Sequence, residues 1–356
     1  MNKTGTPCAL LLNDMHISKD NISEFNINWD EALNICKVRC VTYIILGGDL
    51  FQSRSSQTLD VLLALYDAFS NAGKLGIHVI LANGNHDKVN QEAIRGYCHV
   101  YGEHKNVTVV DKYLTLQNEK WAFDLHVIPY FPENGSFSEK LDVINSSYLS
   151  SLKMNYLYLH EGINGALQNA SDYEVPASLF QHYDKVFAGH YHNRCVIPHS
   201  PVEYIGSSRQ HNFGEDEEKG YTLLYTDGKA EFIKNKANIR YQVMDIPVEK
   251  VNIHLFDKIE EIKADGNYRI KIKIHSPEAL PASIDKSKLI EAGASKVEII
   301  TEDPGIAEVS SSGLFERFDS HKIIENYKEF CREKDIKDIA LGLSYLSKIG
   351  NNVETK

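Results

Sequence analysis

Thr42-Tyr43-Ile44-Ile45-Leu46-Gly47-Gly48-Asp49-Leu50-Phe51 carries a short apolar run straight into two glycines and a carboxylate. A run of that length, closed by paired glycines, reads as a buried strand that stops abruptly and leaves Asp49 at its end. The same arrangement recurs on both sides of it. Cys8–Leu12 ends in Asn13-Asp14-Met15-His16, and His78–Ala82 ends in Asn83-Gly84-Asn85-His86-Asp87. Further on, candidate strands at 154–159 and 184–188 lead into Leu159-His160-Glu161 and Ala188-Gly189-His190-Tyr191-His192. Between the early strands, Trp29–Cys40 and Thr58–Ala72 have apolar residues at helical spacing. Alternation of this kind defines an α/β layer fold. After residue 107 the texture turns β-rich, with further strands expected at 107–110, 122–128, 202–205, 221–225 and 230–233. A second sheet facing the first accounts for them.

A chain of 356 residues exceeds one small module and implies two domains, or one with an appendage. With 42% hydrophobic and 24% charged residues, it is neither disordered nor fibrous. No apolar stretch reaches membrane-span length, and Ala9–Leu12 is too short for a signal-peptide core, so a soluble, cytoplasmic protein with no membrane partner is expected. The cysteines at 8, 36, 40, 98, 195 and 331 form no Cys-x-x-Cys pair, which predicts reduced thiols. A net charge of -11 excludes a basic surface that binds nucleic acid nonspecifically. Any DNA contact must be local, or supplied by metal ions or a partner.

Near residue 238 the pattern changes. Tyr241–Ile246, Leu255–Ile262, Tyr268–Ile274, Ser283–Ala292 and Lys296–Ile300 read as a small strand-helix-strand-helix-strand unit. Glu302–Ser312 is turn-rich and polar, and the apolar spacing beyond it, from Leu314 to Leu346, predicts two short helices. The expected domains are therefore 1–238, 239–302 and 303–356.

Each strand-end cluster alone has an ordinary reading, since a lone Asp there caps a helix or makes a turn and a lone His is usually structural. Together they supply carboxylate, amide and imidazole ligands without thiolate, a set suited to a pair of hard or borderline divalent ions. Two such ions at roughly 3.5–4 Å need a shared carboxylate, and α/β sheets gather ligand groups outside their strand ends.

In their order and content the five clusters resemble the motifs of the calcineurin-like metallophosphoesterase superfamily. That resemblance implies two facing mixed β-sheets flanked by helices. It implies Asp14, His16, Asp49 and His192 around one ion, and Asp49, Asn85, His160 and His190 around the other, with Asp49 as the bridge. His86 would protonate the leaving group and Asp87 would orient its imidazole. Two ions bring +4 against -2 from Asp14 and Asp49, which leaves an excess that attracts a phosphodiester for attack by a water the ions acidify.

Gly47-Gly48-Asp49-Leu50-Phe51 with Arg54 and Ser55, the third motif ending in Asp87, and Tyr204-Ile205-Gly206-Ser207-Ser208 followed by Phe213, Glu217, Lys219 and Gly220 narrow the likeness. They are similar to the SbcD-type family of double-strand-break repair nuclease subunits, which includes a recombination nuclease of T-even phages. That resemblance implies a DNA exonuclease and endonuclease subunit acting with an SMC-like ATPase of the SbcC type in repair or recombination. It also implies a homodimer, a small αβ capping domain, a helical ATPase-binding tail and manganese, although the ligand set equally admits iron or zinc. Gln52 departs from the family, where His is frequent, and Gln transfers no proton; the exonuclease and endonuclease balance turns on it. Arg54 and Arg209 are candidate phosphate contacts, with salt bridges as their ordinary reading, and His211 and Asn212 are weaker groove candidates. Glu215-Asp216-Glu217-Glu218 reads as a solvated loop. A small-molecule phosphodiesterase or phosphatase, and a non-catalytic scaffold, are the competing functions.

Overall fold

Strand β1 (Pro7–Leu12) sends Leu10 and Leu12 to one face and Ala9 and Leu11 to the other, and all four are fully buried. The strands beside it, β2 (Tyr43–Leu46) and β3 (His78–Ala82), divide their side chains the same way. A strand apolar on both faces must be covered on both. One cover is a helical layer, α1 (Ile22–Arg39) and α2 (Leu59–Lys74), which contributes Phe25, Trp29, Leu33, Val61, Leu65 and Phe69. The other is a second sheet.

These features come from a computed structural model, which describes residues 5–132, 136–167, 174–251, 253–264, 266–276 and 284–301, with a few positions between 327 and 343. The first sheet runs β12 (Ala230–Lys234), β11 (Gly220–Tyr225), β1, β2, β3, β4 (Val107–Val110). β1 to β4 are parallel, and β11 pairs antiparallel with both β1 and β12. The second sheet runs β5 (Leu114–Leu116), β6 (Phe123–Ile128), β7 (Met154–His160), β8 (Lys185–Gly189), β10 (Val202–Tyr204), β9 (Cys195–Val196), with antiparallel edges around a parallel centre. Phe123, Leu125, Val127, Tyr156, Tyr158 and Phe187 meet Ala9, Leu11, Ile45 and Ile80 between the sheets. On the far face of the second sheet, α3 (Ser136–Ser147) seats Phe137, Leu141 and Ile144 against Leu157, Leu159 and Val186.

Two local differences from the sequence reading have clear causes. Helix α1 begins at Ile22, seven residues before the expected Trp29, because the polar Asn28 on its buried stripe is satisfied by Tyr221 and Ser208. Helix α3 was not expected at all, although Phe137, Leu141 and Ile144 keep helical spacing within its twelve polar-rich residues.

Strands β13 (Arg240–Pro247), β14 (Tyr268–Ser276) and β15 (Ala294–Thr301) form a third, all-parallel sheet. With α4 (Ile253–Ala264) and α5 (Lys286–Ala292) it encloses its own core of Met244, Leu255, Ile259, Ile270, Ile272, Ile274 and Leu289. The described residues up to Thr301 make one compact unit. The expected linker at 302–312 and nearly all of the expected helical pair lie outside the described residues. No described helix is long and apolar enough to cross a membrane.

Candidate metal centre

The ends of β1, β2, β3, β7 and β8 point to one region, so residues 176 positions apart, His16 and His192, come within 3.1 Å through their Nε2 atoms. The backbone makes this convergence specific. Among the described residues six non-glycine positions have positive φ, and four of them are Asp14, His16, Asp49 and His190. Such conformations each cost about 1 kcal/mol or more and persist only where surroundings hold them. Here the holding bonds are backbone ones: Asp14 N–H donates to Gly48 O, His16 N–H to Asp49 O and Ile17 N–H to Leu50 O, so the segment after β1 is laced to the segment after β2. Asn13, fully buried, donates to Ala188 O and accepts from Tyr158 Oη, tying β1 to the second sheet beneath the site.

Two glycines explain their own presence. At Gly48, with φ of 125°, a Cβ would strike the His160 ring, and at Gly84 it would strike the Asp49 carboxylate. The chain must pass that close for the ligands to meet.

Three overlapping groups have their ligand atoms within 4.8 Å of one another: Asp14, His16 and His192; His16, Asp49 and His86; Asp14, Asp49 and His160. Asp49 Oδ2 lies 3.3 Å from His160 Nε2 and 3.7 Å from His16 Nε2, so its carboxylate faces both sides of the cluster. Asn85 joins from β3. Its Oδ1 lies 3.2 Å from both His160 Nε2 and His190 Nδ1, and 3.1–3.2 Å from both Asp49 carboxylate oxygens. Rotating the amide would convert these contacts to hydrogen bonds; unrotated, an oxygen confronts only acceptors, which a cation reconciles. The donor set of two carboxylates, one amide oxygen and four imidazoles thus fits divalent metal.

Burial opposes charge throughout, and neighbours decide whether it prevails. At Asp49 burial resists ionisation, yet His160, His16 and His86 outweigh it and hold the carboxyl well below the usual range. At Asp14 burial prevails and the carboxyl is raised. Burial would depress His160, but Asp49, Asp14 and Asp87 push it up to about 9, whereas at His190 burial and the His160 charge push it down to about 3.

His86 is half-buried at the edge, edge-on to His16 at 4.9 Å. Its Nδ1 donates to the backbone carbonyl of Gln52 at 2.8 Å, leaving Nε2 for a reacting group. Asp87 does not orient this ring. Its fully buried carboxylate accepts from the amides of Phe51 at 2.8 Å, Leu50 at 3.2 Å and Gly84 at 2.7 Å, and so clamps the second motif against the third. Burial and the charge of Asp49 nonetheless push its pKa up to about 7. Gln52 enters through its main chain, which any residue supplies.

Of the two arginines, Arg54 is exposed beside the centre, and its guanidinium would donate to the Asn85 oxygen only if that amide were rotated. Arg209 is not a groove residue. It is 3% exposed, and it donates to Glu24 Oε2 and Met15 O at 3.2 Å each. Arg209→Ala is expected to lower unfolding stability by about 2 kcal/mol while leaving substrate affinity per folded molecule unchanged, as urea melts and binding titrations would register. Weakened binding at unchanged stability would return it to the groove. His211 sits behind the centre, its Nε2 2.8 Å from Asp14 O, and Asn212 donates to Glu215.

Sequence reasoning missed Glu215. Its carboxylate is 8% exposed and accepts from His192 Nδ1 at 2.8 Å. The acidic run around it gave no periodic signal for burial.

Residues 9–233 match the calcineurin-like phosphoesterase family, and the chain belongs to it. It is a phosphoesterase-fold chain of the metal-dependent hydrolase type. Over 271 residues it is 24% identical to a protein of Invertebrate iridescent virus 6 that carries the name phosphoesterase 244L, covering 74% of this chain and 92% of the viral one. It is 22% identical over 282 residues to a DNA double-strand break repair protein Mre11 of Methanopyrus kandleri, covering 72% and 60%. A subunit of the nuclease SbcCD from Staphylococcus saprophyticus is 22% identical over 226 residues, covering 55% and 58%. The chain thus spans about three fifths of the length of these two nuclease-type relatives.

Proposed function

We propose that this chain is the nuclease subunit of a DNA repair or recombination complex, hydrolysing phosphodiesters at a centre of two divalent ions, with manganese as the working metal. The observation that carries this reading is the exposure of residues on one side of the cluster. His86, Gln52 and Arg54 stand at the rim, where a continuing polymer strand can lie across the centre. The likeness to the two nuclease-type relatives supports it.

When bound, the ions supply Lewis acidity for the phosphoryl oxygens and for a water. The chain's residues do the rest. Asp14, His16, Asp49 and His192 would hold one ion, and Asp49, Asn85, His160 and His190 the other. Arg54 offers a guanidinium to a non-bridging phosphate oxygen. His86, its Nδ1–H fixed on the Gln52 carbonyl, keeps that bond in both protonation states and delivers a proton from Nε2 to the departing oxygen. In this reading residues 303–356 engage an SMC-like ATPase and the chain pairs with itself.

The test is degradation of end-labelled linear duplex DNA by the purified chain with manganese, alone and with an SMC-like ATPase of the SbcC type. Manganese-dependent shortening of the label is expected, together with co-elution of the two proteins and a two-copy mass for this subunit. A chain that hydrolyses small phosphodiesters but leaves DNA intact even with the ATPase belongs to the small-molecule reading, which the acidic charge favours.

A further inference from the structure

Glu215 lies in the most acidic stretch of the chain, yet its carboxylate is packed inward rather than solvated. One oxygen accepts from His192 Nδ1 at 2.8 Å and from Asn212 Nδ2 at 2.9 Å; the other accepts from the His211 amide at 3.0 Å. Lys219 Nζ stands 3.8 Å from the carboxylate and donates to His192 O at 2.6 Å, and Ser207 N–H reaches the same carbonyl at 3.0 Å. Both ends of His192 are thereby fixed. Behind Glu215, Gln210 Nε2 donates to its backbone carbonyl at 2.7 Å and to Tyr241 O at 3.0 Å, while Tyr241 N–H donates to Gln210 Oε1 at 2.8 Å. The segment bearing Glu215 is therefore moored to the first strand of the third sheet.

An imidazole that gives its Nδ1–H to a carboxylate presents the lone pair of Nε2 on the other side. At His192 that side faces the cluster, with Nε2 3.1 Å from His16 Nε2. We propose that Glu215 is a positioning residue that fixes the tautomer and ring orientation of His192, and so sets metal affinity at the position formed by Asp14, His16 and His192. This inference rests on the two-ion reading of the centre.

The experiment is titration of the full chain with manganese, following free Mn2+ by electron paramagnetic resonance. The wild type is expected to bind two equivalents. Glu215→Ala should weaken one of them by about 10–100-fold and leave the other at wild-type affinity, a split that general loosening of the fold does not produce. Glu215→Gln, whose Oε1 still accepts from Nδ1–H, should fall between. Glu217→Ala, which removes the same charge two residues away, should match the wild type. Two unaltered equivalents in Glu215→Ala, or equal weakening of both with an unchanged circular dichroism spectrum, overturns the assignment. If Glu215→Ala unfolds, Glu215→Gln decides: wild-type affinity at both positions overturns it. A wild type that binds no manganese overturns the two-ion reading itself.

Discussion

Asp49→Ala is expected to lower hydrolysis of a simple phosphodiester by more than about 10³-fold, beyond the loss usual for one transition-state hydrogen-bond donor. The reason is its dual position. The carboxylate faces His160 and His16 together, lies against Asn85 Oδ1, and accepts from the His86 amide at 2.8 Å through Oδ1. No other side chain in the cluster touches both proposed ion positions and the backbone of the proposed acid. The same variant gives a second, independent reading. With manganese at about one hundred times its dissociation constant, the wild type should gain roughly 2.7 kcal/mol, or about 4 °C in Tm, for each ion bound, and Asp49→Ala should lose most of that gain. Its melting temperature without added metal should fall, because buried His160 loses its partner, an effect only partly offset by removing the charge that adds to burial in raising Asp87 and, to a smaller degree, Asp14. A variant that kept the manganese-induced shift would move the bridge to Asp14.

His86→Ala is expected to cost about 10²–10⁴-fold on DNA, and the size of the loss should depend on the leaving group. An alkoxide leaving from deoxyribose needs a proton as the bond breaks, whereas nitrophenolate departs readily without one. On bis-nitrophenyl phosphate the loss should therefore stay under about tenfold. Bound manganese should remain, since His86 stands at the edge of the cluster with its Nδ1 committed to Gln52 O. Equal losses on both substrates, measured as kcat with metal saturating, would take His86 out of the acid role.

Much of the fold was legible because parallel strands covered on both faces leave unbroken apolar runs, and β1, β2 and β3 end within a residue or two of their expected limits. The strand-end clusters stood out for a related reason, although which of their residues would be ligands came from the family resemblance. A polar residue that follows such a run directly has few tasks other than turning the chain or holding something. What could not be read was the layer behind those ligands. Asp87 looked like a partner for the adjacent imidazole, but its carboxylate points inward to three amides. Arg209 could be a phosphate contact or half of a salt bridge, and the partner that decides for the salt bridge, Glu24, lies 185 positions away. Glu215 was hidden among acids that are mostly solvated. In each case the deciding partner is remote or is a main-chain atom, and neither leaves a local pattern.

The left-handed backbone at Asp14, His16, Asp49 and His190 sets a limit on laboratory evolution of this protein. Glycine would sit in those conformations without penalty, so selection for heat resistance alone would favour replacements that erase the centre. A thermostabilised library needs a selection for turnover running beside it, or its hardiest members will be inert.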